Sequence, residues 1–197
     1  MPHPPSGYEL VYELPLPGPM DRKLNLLYLA ILAPASIAYA ALVLRVRPDY
    51  LRRSRKHIAV EASVSLLATR YPLYAVHEGL HAVVLWAYTR ERPEVSLHGV
   101  GSYAYAAAPK WWFPRRQYLV VGLTPLATLT PLLLALLPII PRWLLSALGW
   151  MVLRNVAGSH VDIYVAWQLL RHSPETYLND DTRHFTLWEP QDFPPPR

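Results

Sequence analysis

Residues 74–88 read YAVHEGLHAVVLWAY. Both flanks are apolar, yet the middle holds three ionisable side chains, His77, Glu78 and His81. Charged groups at mid-membrane cost roughly 2.5–3.5 kcal/mol each, for Asp, Lys and Arg. A segment this apolar that keeps such groups has a use for them. His77 and His81 are four residues apart, so on a helix they share one face, about 6 Å apart along the axis. Two neutral imidazoles so placed can reach one divalent ion. Glu78 points to the side, where it can hold a water on the metal without filling a coordination position. This is the H-E-x-x-H zinc arrangement, in which the metal acidifies a bound water and the carboxylate takes its proton during attack on a carbonyl. The competing reading is structural, with the three groups hydrogen-bonding between helices.

The rest of the chain sets this stretch in lipid. Of 197 residues, 52% are hydrophobic and only 17% are charged, where soluble domains run nearer a quarter. Mean hydropathy is positive. Residues 24–44 and 118–140 contain no Asp, Glu, Lys or Arg. Runs of that length match the thickness of a bilayer core. The excess charge of +5 sits on residues flanking the apolar blocks, as expected of membrane segments, and not in a nucleic-acid surface. Without cysteine, the chain has no disulfide, thiolate ligand or cysteine nucleophile.

Four spans are expected: 24–44, about 71–89 after Pro72, 118–140 and about 143–170. Residues 1–23 read as a proline-rich extended tail, 24–170 as the transmembrane domain and 171–197 as a polar tail. Between the second and third spans, EVSLHGVGSYAYAAA at 94–108 alternates around glycines and reads as a short β-hairpin. KWWFPRRQY at 110–118 has the composition of an interfacial anchor.

The fourth span also carries polar groups in NVAGSHVDIY, 155–164. Asn155, Ser159 and Asp162 recur at four and three residues and so share a helix face. Asp162 is the natural third metal ligand, since a lone buried carboxylate needs a cation. Asn155 and Ser159 are candidates to orient a ligand or touch substrate. The same three residues would also suit a polar seam between helices. His160 projects about 200° away from Asp162. Arg154 reads as one half of an intramembrane ion pair.

HEGLH, YAAAP after the hairpin, GLTPL opening the third span and NVAGSHVD together resemble a zincin-peptidase family classed as a domain of unknown function, a relative of the site-2 intramembrane metalloproteases. The resemblance covers roughly 70–190. It implies zinc held by His77, His81 and Asp162, with Glu78 as catalytic base. Site-2 proteases usually follow the third ligand with glycine, whereas Ile163 follows Asp162 here.

The sequence is thus read as an all-α integral membrane protein with about four transmembrane helices and one short hairpin. Its expected function is intramembrane zinc proteolysis, with Glu78 activating water. The alternative is a non-catalytic membrane scaffold that keeps the zinc-binding fold. Expected partners are membrane lipids and a membrane-protein or peptide substrate, and no nucleic acid. Tyr103 and Tyr105 on the hairpin are candidates to line up an extended substrate as an added strand. Lys and Arg are slightly in excess on the face that holds both tails, which places the termini in the cytoplasm and the chain in the plasma membrane.

Overall fold

The computed structural model describes residues 3–4, 6–15, 22–48, 72–97, 104–181 and 184–191. In chain order they form β1 (Tyr8–Pro15), α1 (Arg22–Val46), α2 (Pro72–Thr89), β2 (Glu94–Leu97), β3 (Ala104–Ala107), β4 (Trp112–Pro114), α3 (Arg115–Ala135), α4 (Leu145–Gly158), α5 (His160–Arg171), β5 (Tyr177–Asp180) and β6 (His184–Pro190). A short 3-10 turn, Arg142–Leu144, precedes α4. The contacts divide the chain into two units. One comprises Met1–Asp21, Glu78–Thr124 and Val161–Arg197, and the other Arg22–His77 and Pro125–His160.

The all-α expectation does not hold. The first unit contains a four-stranded antiparallel sheet in the order β1-β6-β5-β4, beside the two-stranded sheet β2-β3. The reason lies in the segments read as tails and anchor. In β1, Tyr8, Tyr12 and Leu14 are half-buried while Glu9 and Glu13 are exposed, with an irregularity between Leu10 and Tyr12 that turns Leu10 outward. In β6, Phe185, Leu187 and Glu189 alternate inward. That period of two is the signature of a strand with one buried face. The hairpin expected at 94–108 is present as β2 and β3, with Ser96 opposite Tyr105. The expected anchor supplies β4, at a sheet edge where Pro114 costs little pairing.

Nor are there four spans among the described residues. Two helices, α1 and α3, are long and apolar enough to cross a membrane. Along α1, Leu26, Leu29 and Ile37 face outward and little is buried. The segment expected as a second span, α2, falls short because its histidines and glutamate lower its hydropathy. The expected fourth span is broken at Ser159 into helices of 14 and 12 residues. At ~1.5 Å per residue, neither reaches across a ~30 Å core. Ser159 leaves the helical region at ψ 14°, and its hydroxyl turns back to the Asn155 carbonyl at 3.0 Å. A serine bonding to its own helix in this way bends or ends it.

In the first unit the sheet packs on α5 and on the adjoining turns of α2 and α3. Leu85, Phe113, Val121, Leu169, Leu178 and Leu187 are core members. Two polar clusters fasten the sheet to the helices. Glu189 of β6, buried, accepts hydrogen bonds from the Ser173 amide at 2.7 Å, Thr176 Oγ1 at 2.8 Å and His172 Nδ1 at 3.1 Å. Gln168 of α5 donates to the hydroxyls of Tyr12 and Tyr164, at 2.6 and 3.0 Å, tying β1 to α5. In the second unit α1 packs on α4. Tyr39 donates to the Leu145 carbonyl at 3.0 Å, and its ring lies so near Gly149 that a side chain there would displace it.

Glu189→Ala removes one acceptor from three donors, two of them buried beside it. A lost hydrogen bond to a charged group costs about 1.5–3 kcal/mol, and stranded donors add to that. The variant is expected to lose roughly 2–4 kcal/mol, read as a lowered midpoint of thermal unfolding in detergent. An unchanged midpoint would remove Glu189 from the framework.

Candidate metal centre

The helix α2 runs unbroken from Pro72 to Thr89 and carries the whole H-E-x-x-H stretch. His77, Glu78 and His81 are all buried. One helical turn separates the two histidines, which places both rings on one face.

In the first unit, His81 Nδ1 lies 2.8 Å from the Val121 carbonyl oxygen of α3. A carbonyl only accepts, so Nδ1 carries the proton and Nε2 is the basic nitrogen of the neutral ring. That Nε2 lies 3.6 Å from Asp162 Oδ1, in the first turn of α5. The separation is too long for a hydrogen bond. It suits two ligands of one ion: atoms about 2.1 Å from zinc at the tetrahedral angle stand roughly 3.4 Å apart. The donor set of imidazole and carboxylate also fits zinc. Asp162 is partly exposed and lines a small cleft with Tyr118, Gly122, Val165 and Phe185.

In the second unit, His77 Nδ1 lies 3.0 Å from Asn155 Oδ1. The amide orientation follows from its other partners. Asn155 Nδ2 donates to Thr130 Oγ1 at 3.0 Å and toward the Pro125 carbonyl at 3.4 Å. The carbonyl can only accept, so the amide oxygen must face the histidine, and His77 Nδ1 is the donor. Both histidines are therefore held at Nδ1 by an acceptor, which makes Nε2 the nitrogen able to bind a metal. An outer partner of this kind fixes tautomer and ring orientation in metal sites.

The other residues singled out by sequence fall as follows. Ser159 is fully buried and bonds back to Asn155. His160 lies edge-on to Tyr28, ring centroids 5.5 Å apart. Arg154, read as half of an ion pair, lies over the rings of Tyr74 and Trp150 at 5.7 and 5.6 Å. Tyr105 is on β3, and Tyr103 lies outside the described residues. Asn155, Ser159 and Asp162 do not share one continuous helix, because the chain breaks between α4 and α5. The partners that sequence reasoning missed are Val121 and Thr130. A backbone carbonyl has no sequence signature, and a threonine in an apolar helix carries little.

Residues 71–177, more than half of the chain, match the model of a family described as Putative zincin peptidase. The match supports a metallopeptidase-type function and zinc as the metal. Searches of the curated proteins and of the solved structures each find no match.

Asn155→Leu removes the acceptor at His77 Nδ1 while keeping the branched heavy-atom skeleton of the side chain. Loss of an outer partner typically weakens metal affinity 10–100-fold, and an effect of that size is expected in competition with a chromophoric chelator. Wild-type affinity would separate Asn155 from the metal.

Proposed function

The chain belongs to that zincin peptidase family, and we propose that it is a zinc metallopeptidase cleaving peptide bonds in or beside a membrane. His77, His81 and Asp162 each offer one ligand atom and hold the zinc. The observation that carries this reading is the His81–Asp162 pair, whose 3.6 Å spacing and fixed tautomer match two ligands of one ion. His77 joins them through the four-residue spacing on α2.

Zinc, when bound, supplies Lewis acidity that polarises the scissile carbonyl and makes water a competent nucleophile near neutral pH. Glu78, buried on the same helix between the two histidines, accepts a proton from the attacking water and returns it to the leaving amine. Asn155 and the Val121 carbonyl keep both imidazoles in the tautomer that presents Nε2. Ser159 acts through Asn155. Among the described residues the hairpin β2-β3 forms a two-stranded sheet, so an extended peptide can add along one of its edges. Tyr105 stands on that hairpin. The apolar helices α1 and α3 support a membrane location.

Two substitutions and a control test the assignment. Glu78→Gln keeps shape but cannot accept a proton at neutral pH. It is expected to retain zinc and lose hydrolysis of a helix-destabilised transmembrane peptide by at least ~100-fold. Wild-type turnover in that variant would refute Glu78 as the base.

Asp162→Ala is expected to lose most bound zinc, measured by metal analysis of detergent-purified protein. His160→Ala is expected to keep it, since His160 packs on Tyr28. The reverse pattern would turn the site into a three-histidine centre and sink the carboxylate assignment.

A further inference from the structure

The two helices that carry His81 and Asp162 end alike. Just past α2, the Arg90 guanidinium lies over the Trp86 ring, 5.3 Å from its centroid. At the end of α5, the Arg171 guanidinium lies over Trp167 at 4.7 Å. Both indoles are half in the open, at 50% and 48% exposure, and both arginines are exposed. The spacing is the same on the two helices. Tryptophan follows the site residue by five positions and arginine by nine: His81, Trp86, Arg90, and Asp162, Trp167, Arg171. At ~1.5 Å per residue, each arginine stands about 13–14 Å along its helix from the His81–Asp162 contact.

The surrounding bonds put both ends on one side of the unit. Glu91, next to Arg90, accepts the Trp111 indole N–H at 3.0 Å. Arg115 donates to the carbonyl of His172, next to Arg171, at 2.8 Å. Both helix ends are thus fastened to the segment leading into α3, one of the two helices able to cross a membrane. Arg115 opens that helix, so the start of a candidate span is level with the end of α5. Toward the site from these ends, Val83 of α2 is an exposed apolar side chain.

Two cations at the same helical distance from that contact, each stacked on an exposed indole, fit a flat anionic partner. Indoles favour the layer between acyl chains and water. A guanidinium there meets phosphate with a two-pronged fork, and stacking holds it in place. We propose that Trp86–Arg90 and Trp167–Arg171 form a lipid-docking surface, two stations that bind headgroup phosphates of one leaflet. The stations seat both helices of the His81–Asp162 pair against the same bilayer surface. This deepens the membrane reading above and rests on it.

The chain has no cysteine, so single introduced cysteines give unique spin labels. Tyr88→Cys and Leu170→Cys place labels at exposed positions beside each station and leave both arginines intact. Val83→Cys places one about 7–8 Å farther along α2. Depth is read from oxygen against nickel-chelate accessibility in vesicles of phosphatidylcholine and phosphatidylglycerol. Labels at 88 and 170 are expected at one common depth near the phosphates, with 83 deeper. In an Arg90→Gln/Arg171→Gln background the two labels are expected to lose their common depth. The proposal is overturned if 88 and 170 differ in depth in the parent protein, if both lie in bulk water, or if both are shielded from oxygen and nickel alike, as under a protein partner. An unchanged common depth without the arginines overturns it too. Zinc is measured in the same samples: wrong depths with zinc retained reject the stations alone, whereas absence of zinc from the unlabelled parent rejects the metal-site reading.

Discussion

A neutral imidazole has one nitrogen to give away and one to keep. When an acceptor takes the N–H, the other nitrogen becomes the base, and its direction is fixed by the ring. That constraint governs the centre of this protein. The Val121 carbonyl takes the Nδ1–H of His81, and the Asn155 amide oxygen takes that of His77. Each acceptor sits on a different helix, and each is itself held. Val121 is in the regular part of α3, while Asn155 is pinned by Thr130 and Pro125. The packing of the helices is thereby translated into the direction of two basic ring nitrogens.

The break at Ser159 serves the same end. Had α4 and α5 been continuous, Asp162 would have lain one turn beyond Ser159 on the same axis. Ending α4 and starting α5 at His160 puts Asp162 in a first turn, where the exposed backbone amides favour a negative charge. The price of that placement is a span too short to cross a bilayer alone, which is why a membrane reading of the whole 143–170 segment fails.

The candidate site was more legible than the fold. His77, Glu78, His81 and Asp162 announce themselves because charge is conspicuous against an apolar background. The hairpin was also readable, since Val95 and Leu97 alternate across from the tyrosine–alanine run. The four-stranded sheet was missed although its signal exists: Tyr8, Tyr12 and Leu14 alternate with glutamates, and Phe185 and Leu187 with polar neighbours. Prolines nearby gave both segments the look of tails. Each strand is half-apolar and meaningful only once paired, and the pairing joins residues at opposite ends of the chain. The helix break was invisible for another reason. A serine that caps its own helix and one that faces a seam have the same sequence spacing.

The pairing of β1 with β6 sets an order of events during synthesis. Tyr8 lies opposite Pro190 and Pro15 opposite His184. A ribosome finishes every described helix before the partner strand of β1 exists. Contacts between such distant residues form late, because the loop they close is long. The apolar helices α1 and α3 therefore leave the ribosome, and must find a low-dielectric environment, while β1 still lacks its neighbour. Domains are usually completed as they are made, from the N-terminus on. Here β1 waits for β6, so the sheet that holds α5, and with it Asp162, is sealed only after β6 has been made. A chain released early by a stalled ribosome would carry the entire H-E-x-x-H helix and still lack the sheet that supports its partner carboxylate.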